Sequence, residues 1–479
     1  MKRSTYSIYL LLVSVCLGNP LGELLRLASE RHPVLLAERA VVEQAFRSHE
    51  ELAEYLDPVL YGAAGGATRI RDLPIAPVGY DTVSMGNVLE GQAGVRIPLE
   101  SVGAVVSAGG AFRRWFSPEA PYDSQYQHLL GVNLQVPLGQ DRGFALYGHR
   151  RAAALASCSA AVHRLQQAEQ QVRREVEAAY IRLCVAEADC LVWGDATERF
   201  RRLHQEAGQL AELKAIPQYQ VQTALRELQG GLADEAAAHQ GRESAALALG
   251  QAMGLREPQQ ARACTSEELL EAALALPSWE EPTVEAALER RGSYLALKDE
   301  GRVVESEAAL EAERRKDQVT LQAGVTWQGD SSSAPLASYR ESTDHHWGGE
   351  VLLVWSRPLD YTGPEAALAR LESRRREVSS RLEAKAVEIV GEIRGAQLRL
   401  EGARRRLSLV REGVQAARKT LEAEQERFRL GESTSAIVLD AQKELNNILL
   451  RQNATAAELL LAYSELQYAL GYPQETPLL

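Results

Sequence analysis

From Leu130 to Val136, apolar Leu130, Val132, Leu134 and Val136 alternate with Gly131, Asn133 and Gln135, the period of a strand with one apolar face. Val319, Leu321, Ala323, Val325 and Trp327 alternate in the same way with Thr320, Gln322, Gly324 and Thr326, and Trp347, Gly349, Val351, Leu353 and Trp355 form a third such face. Elsewhere the period lengthens to three and four. Leu165, Val172, Val176, Ala179, Leu183 and Ala186 mark a proline-free stretch from about Arg142 to Leu213. Leu371, Val378, Leu382, Val387, Ile393, Leu400, Leu407 and Val410 mark another from about Pro364 to Leu430. A helix of ~70 residues is ~105 Å long, so both stretches predict coiled-coil elements. Each is followed by a tight turn and a shorter helix, about Pro217 to Met253 and about Thr434 to Leu470. Pro217 suits a first helical turn and Gly431 a helix end. Two more helices, about Leu21 to Leu56 and about Pro282 to Lys316, precede the strand regions.

The chain is an internal duplication. Val221, Ala224, Glu227 and Leu228 match Val438, Ala441, Glu444 and Leu445 at a constant separation of 217 residues, and Ala252-Met253-Gly254 matches Ala469-Leu470-Gly471. One repeat occupies residues 19–262, with strands over about 59–137 and a long helical hairpin over 142–254. The second occupies 263–479, with strands over about 318–358 and a hairpin over 364–471. The first strand region is the longer. Residues 91–99 and 102–115 read as an additional hairpin with Ala93, Val95, Ile97 and Leu99 on one face. Either the sheet has more than four strands per chain, or this hairpin lies outside it.

A basic head (Lys2, Arg3), an apolar run from about Tyr6 to Leu17 and small residues at Cys16 and Gly18 predict a signal peptide over 1–18. Lipidation at Cys16 is the weaker alternative, since Val15 occupies a place where a small residue is expected. No later run of about eighteen apolar residues predicts a membrane helix, so a membrane-spanning portion has to be made of strands. Trp347 and Trp355 lie eight residues apart on one face, about 26 Å along a strand or ~20 Å vertically with a typical tilt, which fits the aromatic girdles of an outer-membrane barrel. Four to six strands are fewer than the eight of the smallest barrels. Several chains must therefore share one barrel.

The formal net charge of -12 excludes a nucleic-acid partner, which needs a basic stripe. Arg374-Arg375-Arg376 and Arg404-Arg405-Arg406 sit among glutamates and predict solvated helix faces. Cys158, Cys184, Cys190 and Cys264 show no zinc spacing, and Cys184 and Cys190 fall on roughly opposite sides of one helix. They predict buried thiols. Asp344-His345-His346 is the histidine cluster, in a Ser- and Gly-rich loop that reads as solvated rather than metal-binding. No HExxH, phosphate-binding glycine loop or GxSxG is present, so no catalytic residue, metal or cofactor is expected.

Arg427-Phe428-Arg429-Leu430-Gly431, Val438-Leu439-Asp440-Ala441-Gln442 and Ala469-Leu470-Gly471 resemble the TolC-type outer-membrane factors, the exit ducts of tripartite efflux pumps and type I secretion systems. His32-Pro33, Val136-Pro137-Leu138 and Arg357-Pro358-Leu359 support the resemblance, which covers nearly the whole mature chain. It implies a mostly α fold with a membrane β-barrel portion. Three copies would each give four strands to a twelve-stranded barrel in outer-membrane lipid, above a periplasmic tunnel of coiled-coil hairpins. It implies a periplasmic adaptor and an inner-membrane efflux or secretion transporter as partners.

Further implications fall on single residues. The hairpin tips, Lys214, Ala215, Ile216 and Pro217 with Gly431, Glu432 and Ser433, would dock the adaptor. Trp327, Trp347 and Trp355 would form the membrane girdle, while Asp440 and Gln220 would line the pore constriction. The chain departs from the family at Ile437, where a second aspartate is usual, and at Lys214, where a turn glycine is usual. The competing reading is a periplasmic coiled-coil adaptor or scaffold without a pore. It accounts for the hairpins but not for girdle-spaced tryptophans on alternating strands.

Overall fold

The computed structural model describes residues 20–73, 82–116, 125–214, 216–256, 264–277, 284–331, 346–357, 360, 362–430 and 432–472. Helices α1 (Pro20–Arg31) and α2 (Pro33–Ala53) lead to strands β1 (Val59–Leu73), β2 (Thr82–Leu99), β3 (Ala104–Phe116) and β4 (Gln125–Pro137). Helices α3 (Ala145–Glu212) and α4 (Gln218–Ala252) complete the first repeat. The second comprises α5 (Ser266–Ala275), α6 (Val284–Leu288), α7 (Gly292–Arg314), β5 (Gln318–Ser331), β6 (His346–Ser356), α8 (Thr362–Arg429) and α9 (Ser435–Ala469).

The duplication is visible in element lengths. Helices α3 and α8 each hold 68 residues, and α4 and α9 each hold 35. Their starts are all 217 residues apart, 145 to 362 and 218 to 435. Ahead of the strands the shift is 259 residues, from the start of α2 at 33 to that of α7 at 292. The difference of 42 residues falls in the first strand region. That is the length of one β-hairpin with a connecting loop.

The chain divides into two compact units. One, of residues 1–43, 160–298 and 380–479, is helical. Its main core joins Leu21 and Leu35 to Val176, Ile181 and Leu183 of α3, Leu269 of α5, Ile389 and Leu407 of α8 and Leu459, Leu460 and Leu466 of α9. Each repeat is closed on itself at an equivalent point. Gly254 and Gly471 stand just past the C-caps of α4 and α9, with φ of +73° and +66°, a region that other residues enter only with strain. A Cβ on Gly254 would strike Pro33 Cδ at 2.5 Å, and one on Gly471 would lie 3.0 Å from the Arg290 backbone. Next to the second junction Arg291 is buried; it donates to the Tyr468 carbonyl at 2.7 Å and to Glu392 at 2.9 Å, with its guanidinium over the Tyr468 ring.

Two sequence expectations change here. The single helix expected over Leu21 to Leu56 breaks at His32, because Pro33 disfavours the helical conformation in the residue before it, and it ends in a 3-10 turn over Glu54–Leu56. The helix expected from about Pro282 is likewise two, α6 and α7, parted at the buried Arg291. Helix α5 has no counterpart among the elements that the hydrophobic periodicity predicts. It is only 10 residues long, but Thr265 and Glu268 form a reciprocal capping box, and Leu269 and Ala273 bury its apolar face.

The other unit, of residues 44–159 and 299–379, holds the sheet. Its six strands form one antiparallel meander in the order β1-β2-β3-β4-β5-β6. The resemblance implies four strands per chain; there are six, and the additional hairpin is hydrogen-bonded within the sheet, between β1 and β4. Tyr55 stacks on Tyr147 and meets Phe144 edge-on beside the sheet's lower end, where β1 begins and β4 ends.

Candidate functional site

Directly opposed residues of an antiparallel pair project to the same face, so the register sorts the sheet into two surfaces. One row reads Leu60, Val95, Ala108, Val132, Val325 and Gly349; two positions away lie Ile97, Val106, Leu134, Ala323 and Val351. All the alternating faces read from sequence fall on this one apolar surface. Leu60, Val351 and Leu353 are 80 %, 74 % and 65 % exposed, too much apolar surface for contact with water alone. The opposite surface, more polar than the first, carries Arg96, Ser107, Asn133 and Glu350 in one row, and Gln135 and Gln322 between Val105 and Leu352 in another. Glu90 and Arg113, directly opposed on β2 and β3, form an ion pair of 3.2 Å there. The pair has no local signature in the sequence, since 23 residues separate its members and only the register brings them together.

The three tryptophans do not form one ring. Trp327 and Trp347 are cross-strand partners, with ring centroids 6.5 Å apart. His128 packs on Trp327 at 4.9 Å, and Phe112 and Tyr126 extend the belt, with Arg114 over the Tyr126 ring. Trp355 stands at the other end of the apolar face, where its indole N–H donates to Asp317 at 3.2 Å. Aromatic side chains therefore stand at both ends of the apolar band, a belt at one and Trp355 at the other. Eight residues at 3.4 Å and a tilt near 40° put them ~21 Å apart vertically.

At the hairpin tips the repeats differ. Lys214 adopts φ of +59°, the left-handed conformation in which a glycine is at ease. Leu213 and Leu430 are exposed, Pro217 caps α4, and Ile216 is half-buried. In the second tip the Glu432 N–H returns to the Arg427 carbonyl at 2.8 Å, and the Ser433 hydroxyl donates to Glu424 at 2.9 Å. Ala215 and Gly431 lie outside the described residues, as do residues 1–19 with the signal peptide and Cys16, and Asp344 and His345. Beneath the tips Phe200 and Leu203 of α3, Leu228 of α4, Leu421 and Phe428 of α8, and Val438, Leu439 and Leu445 of α9 share one apolar cluster.

Gln220 and Asp440 occupy the first two turns of α4 and α9. Gln220 accepts a hydrogen bond from the buried Ser435 hydroxyl at 3.3 Å, so it joins the two hairpins. Asp440 is exposed, one turn from the exposed Ile437. A polar seam that the sequence did not reveal runs away from the tips. Glu177 meets Ser464 at 2.8 Å, Asp189 meets Asn453 at 3.0 Å and Arg199 meets Asn446 at 2.5 Å, all between α3 and α9. Burial pushes the Asp189 carboxyl up, against the hydrogen bond from Asn453. Lys443 reaches Glu227 at 2.6 Å between α9 and α4.

Cys184 and Cys264, 80 residues apart, are both buried and adjacent, with the Cys264 N–H 3.3 Å from the Cys184 sulfur. The Cys184 thiol is pushed up by its hydrogen bond with Cys264 and by burial. Among the described residues no cluster of His, Cys, Asp or Glu could hold a metal ion, and no helix is long and apolar enough to cross a membrane.

These features define a class: the chain has the fold of the TolC-type outer-membrane factors. It is similar to the solved structure of CusC, which shows conformational changes accompanying folding and transmembrane channel formation, with 14 % identity and a TM-score of 0.67 over 95 % of this chain and 93 % of that one. A membrane protein from Pseudomonas aeruginosa aligns over 95 % and 93 % at 17 % identity with a TM-score of 0.66. The outer membrane protein VceC from Vibrio cholerae aligns over 94 % and 96 % at 16 % identity with a TM-score of 0.64. No family model and no curated protein sequence matches.

Proposed function

We propose that the protein is the outer-membrane exit duct of a tripartite efflux pump or type I secretion system, a passive channel rather than an enzyme. The observation that carries this reading is the two-faced sheet. An apolar face edged by aromatic side chains suits lipid, and a more polar face suits a water-filled lumen. The outer edges of β1 and β6 are unpaired within the described sheet, and a lipid-facing sheet cannot leave backbone groups unpaired. Closure by further copies supplies those bonds, and the resemblance gives three copies. The solved channels it resembles include the Campylobacter jejuni CmeC outer membrane channel and the open state of the Neisseria gonorrhoeae MtrE channel.

On this reading the hairpins form a periplasmic tunnel whose tips, Lys214 to Pro217 and Gly431 to Ser433, meet a periplasmic adaptor. Asp440 and Gln220 lie near its constriction, and Trp327, Trp347 and Trp355 anchor the barrel in lipid. Cargo arrives from an inner-membrane transporter, which supplies the energy. The polar seam suits a gate. Gln442 Oε1 and Asn446 Nδ2 are buried without a hydrogen bond among the described residues, so the closed packing is incompletely satisfied and separation exposes groups that water can serve.

The test is single-channel recording on protein purified from detergent-solubilised outer membrane, together with its mass. A trimer giving steady, cation-selective openings supports the duct. A soluble, non-conducting species overturns it and favours the periplasmic scaffold.

A further inference from the structure

Within the described sheet β1 has no pairing with β4; the hydrogen-bonded route between them passes through β2 and β3. Any ring that closes through β1 and β6 must therefore include all six strands. The inserted hairpin carries the same two surfaces as its neighbours. Ala93, Val95 and Ile97 of β2 and Val106 and Ala108 of β3 continue the apolar face, while Glu90, Gln92, Arg96, Ser107 and Arg113 continue the polar one. Its turn is built in as well: Gly103, at φ of +65°, packs against Gly143, and a Cβ there would lie 2.9 Å from the Gly143 nitrogen.

The two edges also complement each other. Along β1, Gly62, Ala63, Ala64, Gly65 and Gly66 offer an exposed backbone without bulk, whereas β6 offers Trp347, Val351, Leu353 and Trp355. Aromatic side chains laid over strand glycines are a recurrent way of pinning register; Tyr61 already does this over Gly94 and Gly109 inside the sheet. With an even number of strands, β1 of one copy runs antiparallel to β6 of the next.

We propose that the β2–β3 hairpin is an insertion that widens the barrel, so that three copies of six strands close an eighteen-stranded ring through β1–β6 pairing between copies. The inference rests on the duct reading for its membrane setting and copy number. At ~4.8 Å per strand and a tilt near 40°, eighteen strands enclose a cylinder about 36 Å across between backbones, against about 24 Å for twelve. Side chains on the inner face leave roughly 25 Å clear, short of the ~30 Å diameter of a folded small domain but at least twice the ~10–12 Å width of a single helix. The membrane section then imposes little size filter, and selection by width falls to the hairpin tips. The cargo class that fits is bulky but not globular: unfolded or partly folded polypeptide, or large amphiphiles.

The test uses nitroxide labels on the full-length protein in phosphatidylcholine vesicles. Residues 91–97 of β2, and 321–327 of β5 as reference, are replaced one at a time by cysteine, with the unsubstituted protein as control for its buried thiols. Contact with oxygen reports lipid, and contact with a water-soluble nickel chelate reports the lumen. In-phase two-residue alternation in both strands, with labels at Ala93, Val95 and Ile97 in lipid, supports the proposal. So does a ladder of cross-linked dimers and trimers when Ala64→Cys is combined with Trp347→Cys or Gly349→Cys. Alternation in β5 with uniform water contact in β2 overturns the widened barrel and leaves the duct standing. Absence of alternation in both strands overturns the duct as well.

Discussion

Lys443 Nζ lies 2.6 Å from a carboxylate oxygen of Glu227, joining the second helix of one hairpin to the second helix of the other. Glu227 is mostly buried while Lys443 is about half exposed, so the pair contributes at most about 1 kcal/mol after solvent screening. Burial pushes the Glu227 carboxyl up, but hydrogen bonds from Lys443 and Arg226 prevail and hold it below its usual value. On the duct reading the described packing is the closed state; a carboxyl depressed there stabilises it fully above the ordinary carboxylate range, about 4.3, and loses the effect as pH falls through the lower native value. Glu227→Gln should therefore raise the open fraction by up to about fivefold near neutral pH. The native channel should approach the variant only below about pH 4. Single-channel dwell times across that range would read this; identical pH profiles for both proteins would show that the pair does not hold the gate.

Asp440 is exposed on α9 one turn beyond Ile437. In a trimer it presents one ring of three carboxylates, which favours cations. Asp440→Asn should lower cation selectivity and relieve block by multivalent cations, whereas Ile437→Asp adds a second ring and should tighten block. Reversal potentials in asymmetric salt measure both. If neither variant moves them, the constriction lies elsewhere.

Much of this architecture is legible in the sequence because it is periodic. The alternation through Leu130, Val325 and Val351 needs no partner to be read, and the register places all of these residues on one face. The repeat of Val221 through Gly254 at Val438 through Gly471 likewise sets the hairpin lengths from residue spacing alone. What escapes depends on pairing between distant segments. Strand β1 falls inside the expected strand region, but Gly62, Gly65 and Gly66 give it little propensity of its own and no alternating face to read; its register is set by β2. The contacts of Asp189 with Asn453, 264 residues away, and of Cys184 with Cys264 leave no local signature. Lys214 is legible only as a departure, and its positive φ supplies the reason that glycine is usual there.

That conformation makes its own prediction. A non-glycine residue in the left-handed region costs about 1–2 kcal/mol, partly offset by the extra entropy a glycine loses on ordering. Lys214→Gly should steady the first tip by roughly 0.5–1 kcal/mol. Amide exchange over residues 209–217 should slow about two- to fivefold, with the second tip unchanged as an internal control. Faster exchange would mean that the lysine side chain contributes more than its backbone costs.

The sheet faces make the sharpest contrast, because adjacent residues on β6 project to opposite faces, lipid and lumen on the duct reading. Val351 lies midway between Trp347 and Trp355 on the apolar face, while Glu350 lies on the polar one. An arginine at the bilayer midplane costs about 2–4 kcal/mol on a lipid face, and three copies multiply that cost in one trimer. Val351→Arg should therefore abolish the heat-modifiable, membrane-inserted species. Glu350→Arg should insert normally and shift selectivity toward anions, since a lumen face has water to solvate the charge. Equal tolerance of both substitutions would mean that neither face meets lipid, and the apolar surface would then have to be buried against another protein.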